Sequence, residues 1–169
     1  HVAINVSSYD FADGALGERL IQKLLRSNVS PSNIHLEITE SVLLGRGQKH
    51  VASALALLHA FGIKIALDDF GTGHASLCHL KQFPVHTLKI DRSFIKNIDC
   101  DHDDAAIVRA IIGLGHSLGL ETIAEGIETA EQLRKLAAKG CDIGQGYFFS
   151  KAVPANEVER LIQIGMPHA

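Results

Sequence analysis

A parallel α/β fold of about six strand–helix units is predicted by three observations. Short apolar runs of strand length alternate with longer stretches of helical periodicity along all 169 residues. The predicted strands close on polar residues: Asn5, Glu37, Asp68 and Asp69, Lys89 and Asp91, Glu125, and Gln145. No linker, low-complexity tract or composition break interrupts the pattern. Strands separated in this way pair in parallel through right-handed crossovers. An open doubly wound sheet collects its site from a few strands at one switch point, whereas every strand of a (β/α)8 barrel feeds one central mouth. Polar ends on six successive strands favour the barrel. A barrel has eight strands and typically about 250 residues, so the chain reads as roughly its C-terminal two-thirds, two strands short.

Taken in order, Val2–Val6 reads as a buried strand and Leu16–Arg26 as a helix, with Leu16, Leu20, Ile21, Leu24 and Leu25 at helical spacing. Ser30–Asn33 is a turn, Ile34–Ile38 a second strand, and Thr39-Glu40-Ser41 leaves it. Val51–Phe61 places Val51, Ala54, Leu55 and Leu58 on one helical face, and Gly62 follows as a C-cap. Ile63, Ile65 and Leu67 lead a third strand into Asp68-Asp69, and Phe70-Gly71-Thr72-Gly73 turns away from it. Leu77–Leu80 is one short helical turn closed by Pro84, and Thr87–Asp91 is the fourth strand. Asp103–Leu118 is a helix whose acidic start suits the macrodipole, with Gly119 behind it. Leu120–Ala124 is the fifth strand. Thr129–Gln132 forms a capping box for a helix that stops at Gly140. Asp142–Gln145 is a short sixth strand, and Pro154 precedes a last amphipathic helix carrying Val158, Leu161 and Ile162.

Composition narrows the function classes. With 46% hydrophobic and 21% charged residues, the chain has the make-up of a soluble globular domain. A net charge of −3 argues against a binder of nucleic-acid polymer. The three cysteines, Cys78, Cys100 and Cys141, form no CxxC pair, which favours reduced thiols and a cytoplasmic setting. No apolar run approaches the roughly 20 residues of a membrane span, and no signal peptide is visible. The chain opens at His1 directly into a strand, which points to further sequence upstream.

The polar strand ends carry the chemistry. One such residue alone is usually solvated surface, but here the donors are nearly all oxygen, from Asn, Glu and Asp, with one lysine. Oxygen donors without histidine or cysteine select magnesium, manganese or calcium over zinc. Adjacent Asp68 and Asp69 repel each other unless a cation lies beside them. The ten histidines have no HxH or HExxH spacing; His35, His59, His79, His86 and His116 read as surface or loop residues, and His74 stands out beside the paired aspartates. Asp99-x-Asp101-x-Asp103 opens like an EF-hand loop, but Asp104 and Ala110 occupy its glycine and glutamate positions, so it reads as a solvated acidic turn. Gly71-Thr72-Gly73 is neither a dinucleotide fingerprint nor a Walker loop. Lys89 has two readings: a Schiff-base lysine in an aldolase-type barrel, or a cation steadying negative charge, which the nearby carboxylates favour.

Six segments, in order and with compatible spacing, resemble the EAL domain family. They are AINVSS with Asn5, LEITES with Glu37 and Glu40, DDFGTG, LKIDRSF with Lys89, AEGIET at Ala124–Thr129, and QGYFFS at Gln145–Ser150. The family hydrolyses the bacterial second messenger cyclic di-GMP. The resemblance implies a TIM-like (β/α)8 barrel of the EAL type, with residues 1–169 as one partial domain of about six βα units. It implies hydrolysis to linear pGpG with two Mg²⁺ or Mn²⁺ ions. Asn5, Glu37 and Asp68 would hold one ion, and Asp68, Asp69 and Glu125 the other. Asp68, Glu125 and Lys89 would form the catalytic group, with Lys89 orienting or stabilising the attacking water. Gln145 and Asp91 would lie on the substrate side, and Glu40 and Glu128 would anchor the DDFGTG loop. Phe148 has two readings, packing against a base or filling the core. The resemblance further implies a homodimer and fusion to sensory or cyclase domains, in a full-length protein that can be membrane-tethered.

Two departures accompany the resemblance. The Glu-Ala-Leu motif, whose Glu completes the first metal site, does not precede Asn5, so the isolated chain is expected to be weakly active or inactive. His74-Ala75 replaces the usual residues behind Gly73, which bears on coupling to a dimer partner. A binding-only cyclic di-GMP receptor is the alternative reading, although such relatives usually lose several of the ligands retained here.

Overall fold

The computed structural model describes residues 1–44, 48–73 and 77–164, the side chains of 77–79 and 164 excepted. Two compact units form, His1–Lys89 and Ile90–Ala169. The first contains β1 (Val2–Asn5), β2 (Ile34–Thr39), β3 (Lys64–Phe70) and β4 (Thr87–Ile90) in that sheet order, with Ile90 opening the second unit. β1 and β2 are parallel, with Asn5 opposite Glu37. β2 and β3 are parallel, with His35 opposite Lys64 and Thr39 opposite Asp68. Helices α1 (Leu16–Ser27), α2 (Glu40–Leu44), α3 (Gln48–Ala60) and α4 (Leu77–Gln82) connect these strands.

The second unit continues with α5 (Arg92–Lys96), α6 (His102–Ser117), β5 (Glu121–Ala124), α7 (Ala130–Ala138), β6 (Ile143–Gly144) and α8 (Ala155–Ile164). β5 and β6 are parallel, with Ile123 opposite Ile143.

Local chemistry explains the elements. Val51, Ala54, Leu55 and Leu58 are the buried stripe of α3, and they join the fully buried Leu36, Ile38, Ile65 and Leu67 of the strands. Truncating Leu58 to alanine costs about 2–5 kcal/mol at such a site. α6 starts on Asp101, whose carboxylate accepts the N–H groups of Asp103 and Asp104. The apparent EF-hand stretch is therefore a helix cap. α7 carries the capping box between Thr129 and Gln132.

Several details differ from the sequence-based expectations. β1 is exposed along its whole length, Val2 by 61%, and burial begins only at Val6. It ends the strand order of its unit, so apolar side chains alone do not cover it. His35 is buried within β2 and stacks on His1 at 3.8 Å, because its strand packs between β1 and β3. α2 and α5, five residues each, are too short to show a period. β6 is two residues long instead of four.

Candidate functional site

In the first unit, alternation along β2 sends Leu36 and Ile38 into the core and leaves Glu37 and Thr39 on the other face. Glu37 lies opposite Ala66 of β3, and Asp68 lies two residues beyond on the same face. Lys89, near the end of β4, completes the group: its Nζ is 2.8 Å from Glu37 Oε1 and 3.1 Å from Asp68 Oδ1. The lysine side chain is 3% exposed and the carboxylates are 12% and 13% exposed. Two carboxylates against Nζ suit it as a cation, whereas a Schiff-base lysine is activated by an apolar pocket or a neighbouring cation. Asn5 ends β1 opposite Glu37, and its neighbour Val6 donates its N–H to Glu37 O at 2.9 Å.

β3 does not end as a regular strand. Asp69 adopts φ +53°, a left-handed conformation that Asp tolerates better than most residues, and its N–H donates to Asp68 Oδ1 at 3.0 Å. The chain then turns through Phe70 and Gly71, and the Thr72 hydroxyl donates to Asp69 O at 2.9 Å. Glu40, the buried first residue of α2, accepts the Gly71 N–H on Oε1 at 3.0 Å. Gly73 packs so closely on this carboxylate that a Cβ would overlap it. His74 and Ala75 lie outside the described residues.

In the second unit, Asp91 caps α5 by accepting the Ser93 N–H at 2.9 Å. Glu125 follows β5 directly, half-buried, and its N–H donates to Ile90 O at 3.1 Å. Gly126 has φ +73°, and the Arg92 stem fills the space where a Cβ would project. Gln145 follows β6; its N–H donates to Ala124 O at 2.9 Å, and its carbonyl accepts the Ile127 N–H at 3.0 Å. It also borders a cavity of about 800 Å³ lined in part by Leu133, Leu136, Ile143, Tyr147 and Phe149. Phe148 is half-buried and meets Phe149 edge-on at 5.5 Å. Glu128 is exposed, and its N–H donates to Gln132 Oε1 at 2.8 Å.

Sequence reasoning gave Gln132 only a capping role. The residue is buried, its Oε1 accepts N–H groups from both Glu128 and Thr129, and its Nε2 donates to Lys96 O at 3.4 Å. Glutamine instead of glutamate in the capping box, which adds a donor, is the available sequence signal. A second cluster lies at the starts of β5 and β6, where Asp142 Oδ2 accepts from the Thr122 N–H and hydroxyl and faces His116 Nε2 at 2.9 Å. Burial pushes the Asp142 carboxyl up, but these hydrogen bonds together outweigh it and hold the group below its ordinary value. Burial pushes the neighbouring Cys141 thiol up. Both cysteines with described side chains, Cys100 and Cys141, are free thiols.

Comparison with known proteins gives consistent matches. The family model described as EAL domain matches residues 1–152. Signaling protein YkoW of Bacillus subtilis is 43% identical over 95% of this chain and 20% of its own length. The bifunctional diguanylate cyclase/cyclic di-GMP phosphodiesterase MucR of Pseudomonas aeruginosa is 41% identical over 94% of this chain and 23% of its own. The chain thus spans about a fifth of the length of these curated relatives. A solved structure of PaMucR phosphodiesterase in complex with c-di-GMP matches with TM-score 0.87 and 42% identity, covering 94% of this chain and 64% of that one. Klebsiella pneumoniae BlrP1, in a manganese and cyclic di-GMP complex, matches with TM-score 0.79 and 29% identity, covering 88% and 38%. The α/β fold predicted from the sequence, about six βα units of a TIM-like barrel, is the fold of these structures.

Proposed function

The chain belongs to the EAL domain family, and from that premise we propose that it hydrolyses cyclic di-GMP to linear pGpG with Mg²⁺ or Mn²⁺. The observation that carries this reading is the meeting of the half-buried Glu37 and Asp68 on one sheet face, with the buried Lys89 as the counter-charge. The donor chemistry fits a hard divalent cation, since these side chains and Asn5 offer only oxygen. Asn5, Glu37 and Asp68 would hold one ion, and Asp68, Asp69 and Glu125 a second. When bound, such a pair supplies Lewis acidity and charge neutralisation for an in-line phosphodiester displacement.

This chain's own groups do the rest. Lys89 Nζ holds a cationic donor at a fixed place on the carboxylate face, where it orients a water and steadies negative charge growing on phosphate oxygens. Gln145 and Asp91 line the substrate side. Glu40 braces the loop carrying Asp69 through its contacts with Gly71 and Gly73. Water adds across one phosphodiester linkage, its oxygen joining phosphorus as the 3′-oxygen leaves with a proton. The name of the relative MucR, which pairs a cyclase with a phosphodiesterase, supports placement in a larger signalling protein. Cytoplasmic placement and dimerisation belong to the same proposal; among the described residues no helix is long and apolar enough to cross a membrane.

The test is incubation of the full-length protein with cyclic di-GMP and Mg²⁺ or Mn²⁺, with pGpG followed by chromatography. Turnover supports the proposal. Tight binding without turnover would instead establish a receptor module, and no binding would remove both.

A further inference from the structure

Lys89 is where the charge arithmetic of the site is decided. Among the described contacts, one ammonium touches two carboxylates that would both ligate a divalent ion, at 2.8 and 3.1 Å, with all three side chains largely out of water. A cation entering that face must share Glu37 and Asp68 with a positive charge already in place. Like charges a few ångströms apart repel strongly where water does not screen them. The ammonium also relieves the repulsion between the two carboxylates and holds them on one face.

We propose that Lys89 sets the affinity of the first metal position by competing for Glu37 and Asp68, keeping divalent-ion binding weaker than the oxygen donors alone would give. The inference rests on the metal-centre reading above and adds a role distinct from catalysis. Its two consequences have opposite signs. Removing the charge raises metal affinity, because one competitor for the carboxylates disappears. It also lowers stability without metal, because two carboxylates largely out of water are left facing each other. A purely structural lysine would give only the second effect, and a purely catalytic one neither.

The experiment is calorimetric titration of the full-length protein with Mn²⁺, paired with thermal melts with and without the ion. Lys89→Met is expected to bind Mn²⁺ roughly tenfold more tightly, at the low end of what neighbours of ligating groups do to metal affinity. Its melting temperature is expected to fall without the ion and recover more than wild type on adding it. Lys89→Arg, which keeps the charge, is expected to stay within about twofold of wild type, well inside the effects known for such neighbours. Lys89→Gln keeps a donor without the charge and replaces the methionine variant if that one does not fold. Charge-removing variants that bind Mn²⁺ no better than wild type overturn the inference and leave the metal centre standing. Wild-type protein that binds no Mn²⁺ overturns both.

Discussion

Glu40 accepts the Gly71 N–H at 3.0 Å from 31 positions earlier in the chain, and Gly73 seals the same carboxylate from the other side. A methyl group at residue 73 must displace the Glu40 head and forfeit the bond to Gly71. Gly73→Ala is therefore expected to cost about 1–3 kcal/mol, the range for a buried polar group losing its partner, and to slow the proposed cyclic di-GMP turnover. Glu40→Gln keeps an acceptor for Gly71 and is expected to be milder than Glu40→Ala. Denaturant melts of the three variants give the ranking. Wild-type stability in Gly73→Ala would show that this contact holds nothing in place.

Gln132 is expected to be more sensitive than its place on a surface helix suggests. Its side chain serves the N–H groups of Glu128 and Thr129 and the carbonyl of Lys96, tying the start of α7 to the end of α5. Gln132→Leu fills the volume but leaves these groups without partners, at a cost of about 1–3 kcal/mol. Thr129→Ala removes only one half of the cap, at about 1 kcal/mol. Equal melting of the two variants would place the whole effect in the cap.

The parts of this architecture that were legible in the sequence are those with a period or a cap. The α3 stripe and the Thr129–Gln132 box needed only spacing and residue type, and both are present. Polar strand ends placed Glu37, Asp68 and Lys89 near one another by topology. Their mutual contacts were not legible, since they depend on the register of β2 with β3, which sequence spacing leaves open. The left-handed Asp69 was hidden as well, because an aspartate after an apolar strand reads as its continuation. Exposure of β1 and burial of His35 show a general limit: burial is set by what packs alongside a strand, and a strand's own residues say little about its neighbours.

Acidification is expected to weaken the first unit through two of its histidines. Burial, followed by the nearby Lys64 charge, holds the His35 imidazole below its ordinary value of 6.5. Burial, followed by His59 and then Lys64, does the same for His86, whose Nδ1 accepts the Ile65 N–H at 3.2 Å. The folded protein then takes up fewer protons than the unfolded chain once pH drops below about 6.5, so stability falls with pH. The contribution is intact above that value and declines below it until the folded-state values are passed. His35→Phe keeps the ring and its burial while removing one titrating group, and it is expected to flatten the slope of unfolding free energy between about pH 6.5 and 5. An unchanged slope would mean that His35 takes up its proton alike in the folded and the unfolded chain.

Divalent ions are expected to stabilise the protein through the oxygen donors of its strand ends. Binding to the folded state alone adds about 1.4 kcal/mol for each tenfold rise in free ion above the dissociation constant, so the melting temperature should climb steadily with Mn²⁺ and fall back on chelation. Asp68→Asn removes a ligand proposed for both ions and also a partner of Lys89, so its climb should be nearly flat. Asp99→Asn is the matched control, because Asp99 lies in the acidic turn before α6 and its carboxylate faces only Lys135, at 3.7 Å, among the described ion pairs. Loss of the Mn²⁺ response in Asp99→Asn, or its survival in Asp68→Asn, would move the binding site away from the strand ends.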